Sequence, residues 1–129
     1  FSIVQINLDL GGVMEEFKVD KFLYYRSGTS DKIWGIATYG NANVFKFWGR
    51  RPKDLEINTI ALTKETSGTS FDREYKKSMT KARNKIAEGY SELSEEDAEK
   101  LVPGFKEWIG EKILMAQLTD GFRNGSNVG

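Results

Sequence analysis

An α+β fold, with strands leading and helices following, is predicted by three observations. Apolar and polar residues alternate along the first half, Gly/Asn/Ser-rich runs punctuate it, and from Phe71 the apolar spacing changes to three and four. The expected architecture is an antiparallel sheet with a packed amphipathic helix and a C-terminal helical extension. A chain of 129 residues with 39% apolar content is the size of one domain with one core, here 1–129.

The elements follow in order. Val4, Ile6, Leu8 and Leu10 alternate with Gln5, Asn7 and Asp9, the period of a half-buried strand, and Gly11-Gly12 ends it. In "EFKVDKFLYYRSG" the run Phe22-Leu23-Tyr24-Tyr25 favours a strand, closed by the turn-forming Ser27-Gly28-Thr29-Ser30-Asp31. "KIWGIATYG" and "VFKFWGR" flank Gly40-Asn41-Ala42-Asn43 and read as a hairpin. In its second arm Phe45 and Phe47 point one way, and Val44, Lys46 and Trp48 the other. Pro52 disfavours a continuing central strand, "LEINTIAL" reads as a further strand, and Ser67-Gly68-Thr69-Ser70 as a loop.

The helices come next. "FDREYKKSMTKARNKIAEG" sets Tyr75, Met79, Ala82 and Ile86 on one face, with Gly89 closing the helix. Ser94 caps a second helix, "EEDAEKLV", whose leading acids suit the helix dipole, and Pro103-Gly104 breaks it. A third, "FKEWIGEKILMAQL", carries a stripe of Phe105, Trp108, Ile109, Ile113 and Ala116, and the tail "GFRNGSNVG" reads as frayed.

Composition narrows the chemistry. The chain has no cysteine and no histidine, which removes disulfides, thiolate nucleophiles, and the commonest metal ligand and general base. Asp54, Glu56 and the run Glu95-Glu96-Asp97 offer carboxylates for magnesium, but no phosphate-cradling glycine loop accompanies them. Ser78 to Lys81, "SMTK", imitates a Ser-x-x-Lys nucleophile without the motifs that go with it. The expectation is a non-enzymatic module with no catalytic residue, no metal and no cofactor. No apolar run approaches the roughly 20 residues of a membrane span, so no membrane partner is expected, and an intracellular location, cytoplasm or nucleus, is the default.

Nineteen Lys and Arg balance nineteen Asp and Glu, so an electrostatic role must come from how charge is distributed. It is uneven. Lys46, Arg50, Arg51 and Lys53 are opposed only by Asp54, and the first helix adds Arg73, Lys76, Lys77, Lys81, Arg83 and Lys85. The compensating acids lie at Glu88, Glu92, Glu95, Glu96, Asp97 and Glu99. Long cations are the usual outside of an amphipathic helix, and Trp48 has two places open to it, a core strand or the surface. On the surface, Trp48 with Lys46, Arg50, Arg51 and Lys53 makes a site that stacks on a base or sugar and pairs with phosphate, and Arg73, Lys77 and Lys81 would extend it.

The stretch from Phe22 to Lys53 also resembles the WGR domain, named for a Trp-Gly-Arg motif, here Trp48-Gly49-Arg50. The surroundings carry the likeness: Ser30-Asp31-Lys32-Ile33-Trp34 before the hairpin, Gly40-Asn41 in its turn, then the motif, and later "NKIAEGYSEL" with Lys85, Gly89 and Tyr90. The resemblance spans residues 21–93, leaving 94–119 as the helical extension. Members occur in DNA-dependent poly(ADP-ribose) polymerases and in bacterial proteins, where the motif's Trp packs on the sugar at a DNA end and its Arg helps to link DNA to neighbouring domains. The resemblance implies a binding module with Trp48 as the stacking residue and Arg50 as the bridging or phosphate residue. The alternative is a protein-interaction or inhibitory module that meets a protein partner through the acidic segment from Glu92 to Glu99.

Overall fold

Alternation in the first half becomes a meander of strands. The computed structural model describes residues 17–53, 59–65 and 70–128, with side chains as far as residue 118. Strands β1 (Phe17–Ser27), β2 (Ser30–Tyr39), β3 (Asn43–Arg50), β4 (Ile60–Lys64) and β5 (Ser91–Glu92) form one antiparallel sheet in the order β4-β3-β2-β1-β5. The expected strand at Val4–Leu10, the carboxylates Asp54 and Glu56, and most of the 67–70 loop lie outside the described residues.

Among the described residues three helices complete the α+β fold: α1 (Phe71–Ala87), α2 (Glu95–Leu101) and α3 (Phe105–Val128). Ser70 and Ser94 cap the first two, their hydroxyls accepting from the backbone N–H of Arg73 and Asp97. Each satisfies a donor that the helix start leaves unpaired. Helix α3 runs on through the tail, which composition alone reads as frayed. Among the described residues no helix is long and apolar enough to cross a membrane.

The sheet separates two cores. On one face Phe22, Ile33, Ala37, Phe45, Phe47 and Ile60 meet Ala98, Val102, Phe105, Ile109 and Ile113 from α2 and α3. Phe105 is the keystone, with its ring centroid 4.9 Å from Phe22 and 5.2 Å from Phe47. Each such buried side chain contributes roughly 1.5 to 3 kcal/mol. The segment read as an extension is therefore the second wall of the larger core.

On the other face Leu23, Trp34, Ile36 and Val44 meet Ala82 and Tyr90, with Tyr25, Phe71, Tyr75 and Met79 packed around them. The buried line of α1 is Glu74, Ser78 and Ala82, so the helix sits rotated by part of a turn from the stripe its apolar residues predict, and Ile86 is left exposed. Small Ser78 and Ala82 allow a close approach to the sheet, and a cation there, Lys46, makes a buried carboxylate at Glu74 acceptable.

Candidate functional site

The Trp-Gly-Arg run closes β3, and each of its residues has a separate reason to be there. Trp48 pairs in register with Trp34, and Arg50 with Lys32, so parity puts all four side chains on the α1 face at one end of the hairpin. Trp34 is buried and Trp48 is 41% exposed, so this cross-strand pair spans the edge of the core. Gly49 has φ of +147°, and a Cβ there would stand 2.2 Å from the Thr59 carbonyl oxygen. Only glycine lets β4 enter so close beside the motif. Thr59 also donates its hydroxyl to the Arg50 carbonyl at 2.6 Å, and Arg50 Nη1 donates to the Thr29 carbonyl at 3.2 Å.

The far wall of this end is built by the close of α1. Tyr90 N–H donates to the Lys85 carbonyl and Gly89 N–H to the Ile86 carbonyl, the paired bonds of a Schellman turn with Gly89 at φ of +116°. That turn delivers Tyr90 beside Tyr25, with ring centroids 5.2 Å apart. The Nζ of Lys85 lies 5.4 Å from the Tyr90 ring centre, and that of Lys32 lies 5.3 Å from Tyr25 and 6.0 Å from Tyr90. Cations over ring faces are attracted by the ring quadrupole.

The result is a groove of about 420 Å³, lined by Trp34, Trp48, Gly49, Arg50, Lys32, Lys85 and Tyr90 together with the Thr29–Asp31 turn. Its chemistry is a partly exposed indole flanked by three cations, which suits an anionic ligand with a flat apolar part. Among the described residues no group of acids and histidines is placed to hold a metal ion.

The structure divides the predicted cations. Arg50 joins Trp48 in the groove. Lys46 does not, because its Nζ lies 3.0 Å from Glu65 Oε1 and its side chain is only 15% exposed. Burial, the largest single influence, lowers its pKa, but the hydrogen bonds to Glu65 and Lys81 and the charges of Glu65 and Glu74 together outweigh it, so its ammonium is held charged above the usual lysine range. Lys81 lies beside Lys46, which pushes its pKa below that range, and Lys77 adds to the effect. The flank of α1 carrying Lys77 and Lys81 thus leans towards β3, the strand of Trp48. Arg73 is exposed at the opposite end of α1 from Lys85.

Arg51 turns to the other face and makes two bonds to Asp31, Nε to Oδ1 at 2.9 Å and Nη2 to Oδ2 at 2.8 Å. Tyr24 donates its hydroxyl to the same Oδ1 at 2.7 Å. The Arg51 hydrogen bonds, helped by Tyr24, hold the Asp31 pKa down at about 2. Arg51 is therefore a clamp: with its N–H donating to the Asp31 carbonyl at 2.8 Å, it ties the end of β3 to the β1–β2 turn that accepts from Arg50. Pro52 is buried and Lys53 exposed beyond it.

The acidic segment is largely used within the molecule. Glu92 accepts from Lys21 at 2.7 Å, Glu95 pairs with Lys106, Glu96 lies 3.5 Å from Lys100, and Glu99 accepts from the backbone N–H groups of Gly104 and Lys106. These bonds fasten α2 to the start of α3 and β5 to β1.

Sequence reading missed Lys32, Lys85 and Tyr90 as members of the site. A signal for Lys32 was present, since counting back from the Gly40-Asn41-Ala42 loop sets 34 opposite 48 and 32 opposite 50. Lys85 and Tyr90 have no such local signal, because their place depends on how α1 crosses the sheet. Comparison of the chain with protein-family models, with curated proteins and with solved structures finds no match to any of them.

Proposed function

We propose that this chain is a non-enzymatic module that binds nucleic acid, DNA at an end or nick, through the groove between Trp48 and Tyr90, and that it does so inside the cell. The observation that carries this reading is a half-exposed indole, paired across the strands with a buried one, in a groove lined by Arg50, Lys32 and Lys85. Trp48 stacks on a sugar or terminal base, and the three cations take the phosphates that flank it. Lys53 and the Lys77–Lys81 flank extend the track. Lys46 and Arg51 serve the fold around it. The resemblance of Trp48-Gly49-Arg50 and its surroundings to the WGR domain agrees with this assignment. The acidic segment favours the protein-binding alternative less, since Glu92, Glu95, Glu96 and Glu99 already have partners within the chain.

The test is binding of labelled blunt, nicked, single-stranded and closed circular DNA at two salt concentrations. Three neutralised phosphates imply a loss of roughly 10- to 50-fold in affinity between 50 and 200 mM salt. Trp48→Ala and Arg50→Ala both weaken binding, and ends or nicks are preferred over closed duplex. Absence of binding to every form at low salt rejects the reading.

A further inference from the structure

A cluster of amines and carboxylates lies where α1 packs on β3, two residues back along that strand from Trp48. Lys46 enters it from β3, and Glu74, Lys77 and Lys81 from α1. Glu65 enters from the end of β4, where its N–H donates to the Val44 carbonyl at 2.7 Å. The Lys46 Nζ lies 3.0 Å from Glu65 Oε1, on a side chain only 15% exposed. Lys81 is exposed, and its amine meets that of Lys46 within hydrogen-bonding reach.

The two amines compete for their protons. A lysine ammonium has three donors and no acceptor, so a hydrogen bond between two lysines needs one of them to offer a lone pair. Lys46 keeps its proton, because Glu65 accepts from it and Glu74 lies near. Lys81 is the one that yields. Lys77, one helical turn before it, adds a second like charge. Glu65, the acid that favours the charged form of Lys81, is already engaged by Lys46. The fold thus presents to solvent an amine that loses its proton at a lower pH than an ordinary lysine does. Ser78 is only 2% exposed, so in the Ser-x-x-Lys spacing the accessible nucleophile is the lysine and not the serine.

We propose that Lys81 is a nucleophilic amine, the lysine of this chain that acyl thioesters modify first. Its nitrogen lone pair attacks the thioester carbonyl carbon, and the C–N bond forms as the C–S bond breaks. Sulfur leaves with the bonding pair and takes up the proton that the nitrogen sheds, giving an amide on Lys81 and a free thiol. A lysine beside another cation is activated in this way, because more of it is free amine near neutral pH. A thioester reacts with the free amine and not with the ammonium, so it selects for a lysine in that state. The amide is uncharged, so acylation also removes the repulsion between Lys81 and Lys46.

The experiment is acetylation of the full chain by limiting S-acetyl-N-acetylcysteamine between about pH 7 and 11, with each lysine followed by peptide mass spectrometry. Near neutral pH Lys81 is expected to react roughly threefold or more faster than Lys53 and Lys76, which are also exposed. Its lead shrinks towards parity at the alkaline end, where every lysine is free amine, whereas a lead due to access alone would persist. Lys46→Met removes the neighbouring cation and slows Lys81 relative to Lys53. Lys77→Gln, at an exposed position, does so to a smaller degree. Trp48→Ala leaves the ranking unchanged, which separates this site from the nucleic-acid groove. Equal rates for Lys81, Lys53 and Lys76 in the parent near neutral pH overturn the proposal, as does a lead that stays undiminished to the alkaline end. The parent's rates and Lys77→Gln decide the matter even where Lys46→Met fails to fold.

Discussion

Among the described residues one face of the sheet lies under two helices, and the other under one. Beneath α2 and α3, Phe45 and Phe47 of β3 are fully buried and close on Phe105. On the opposite face of the same strand Val44 is buried, Lys46 is half-buried and Trp48 is 41% exposed, as β3 runs out from under α1. A single strand therefore passes from core to surface on one side only. The covered face makes the fold, and the end left open by α1 makes the candidate site.

Substitutions that break this contrast have the largest effects. Phe47→Ala removes a ring packed on Phe22 and Phe105 and is expected to cost about 3 to 5 kcal/mol of stability, measured by urea unfolding. Gly35→Ala acts on the same face by the opposite means. A Cβ there would stand 2.0 Å from Phe47 Cζ and 2.5 Å from the Lys21 carbonyl oxygen, so a loss of about 2 kcal/mol or more is expected. Trp48→Ala, on the open face, should cost only about 1 to 2 kcal/mol because its ring is partly solvated already. A loss as large as that of Phe47→Ala would show that Trp48 belongs to the core after all.

The cations sharpen the comparison further. Lys46→Ala removes the cation that bonds Glu65 and lies near the buried Glu74, so it should lower stability and change DNA affinity little. Arg50→Ala should do the reverse, lowering affinity and the salt dependence of binding while moving the urea midpoint little. Equal effects of both on affinity would return Lys46 to the binding surface.

The smallest effect concerns the clamp. Asp31 titrates at about 2 in the folded chain, below its ordinary value of 3.8, because Arg51 and Tyr24 bond its charged form. A depressed folded pKa stabilises the fold above the unfolded value, and that stability is lost as pH falls through the folded one. The Asp31–Arg51 pair should therefore contribute fully above about pH 5 and fade between about pH 4 and 2, by an amount on the order of 1 kcal/mol once solvent screening is allowed for. Thermal unfolding of the parent and Asp31→Asn across this window checks it: the two curves should converge at the acid end.

Much of this was legible in the residues. The Gly/Asn loop set the hairpin, alternation told Phe45 and Phe47 from Lys46 and Trp48, and period and glycine closed α1 at Gly89. Even the Asp31–Arg51 pairing lay within reach, since it continues the register that sets Lys32 beside Arg50. The reading of α1 was turned slightly, because apolar spacing cannot anticipate a helix that buries Glu74 and Ser78 over a lysine. What the sequence alone determined is local: strand parity, turns, caps, and the concentration of cations around one tryptophan. The tertiary structure decided which of those cations stay available, for Lys46 and Arg51 meet Glu65 and Asp31 while Arg50, Lys32 and Lys85 meet rings or backbone. It also decided that Trp48 is open, because exposure depends on where α1 stops over the sheet, and that distance is fixed by the packing of whole elements rather than by neighbours in the chain.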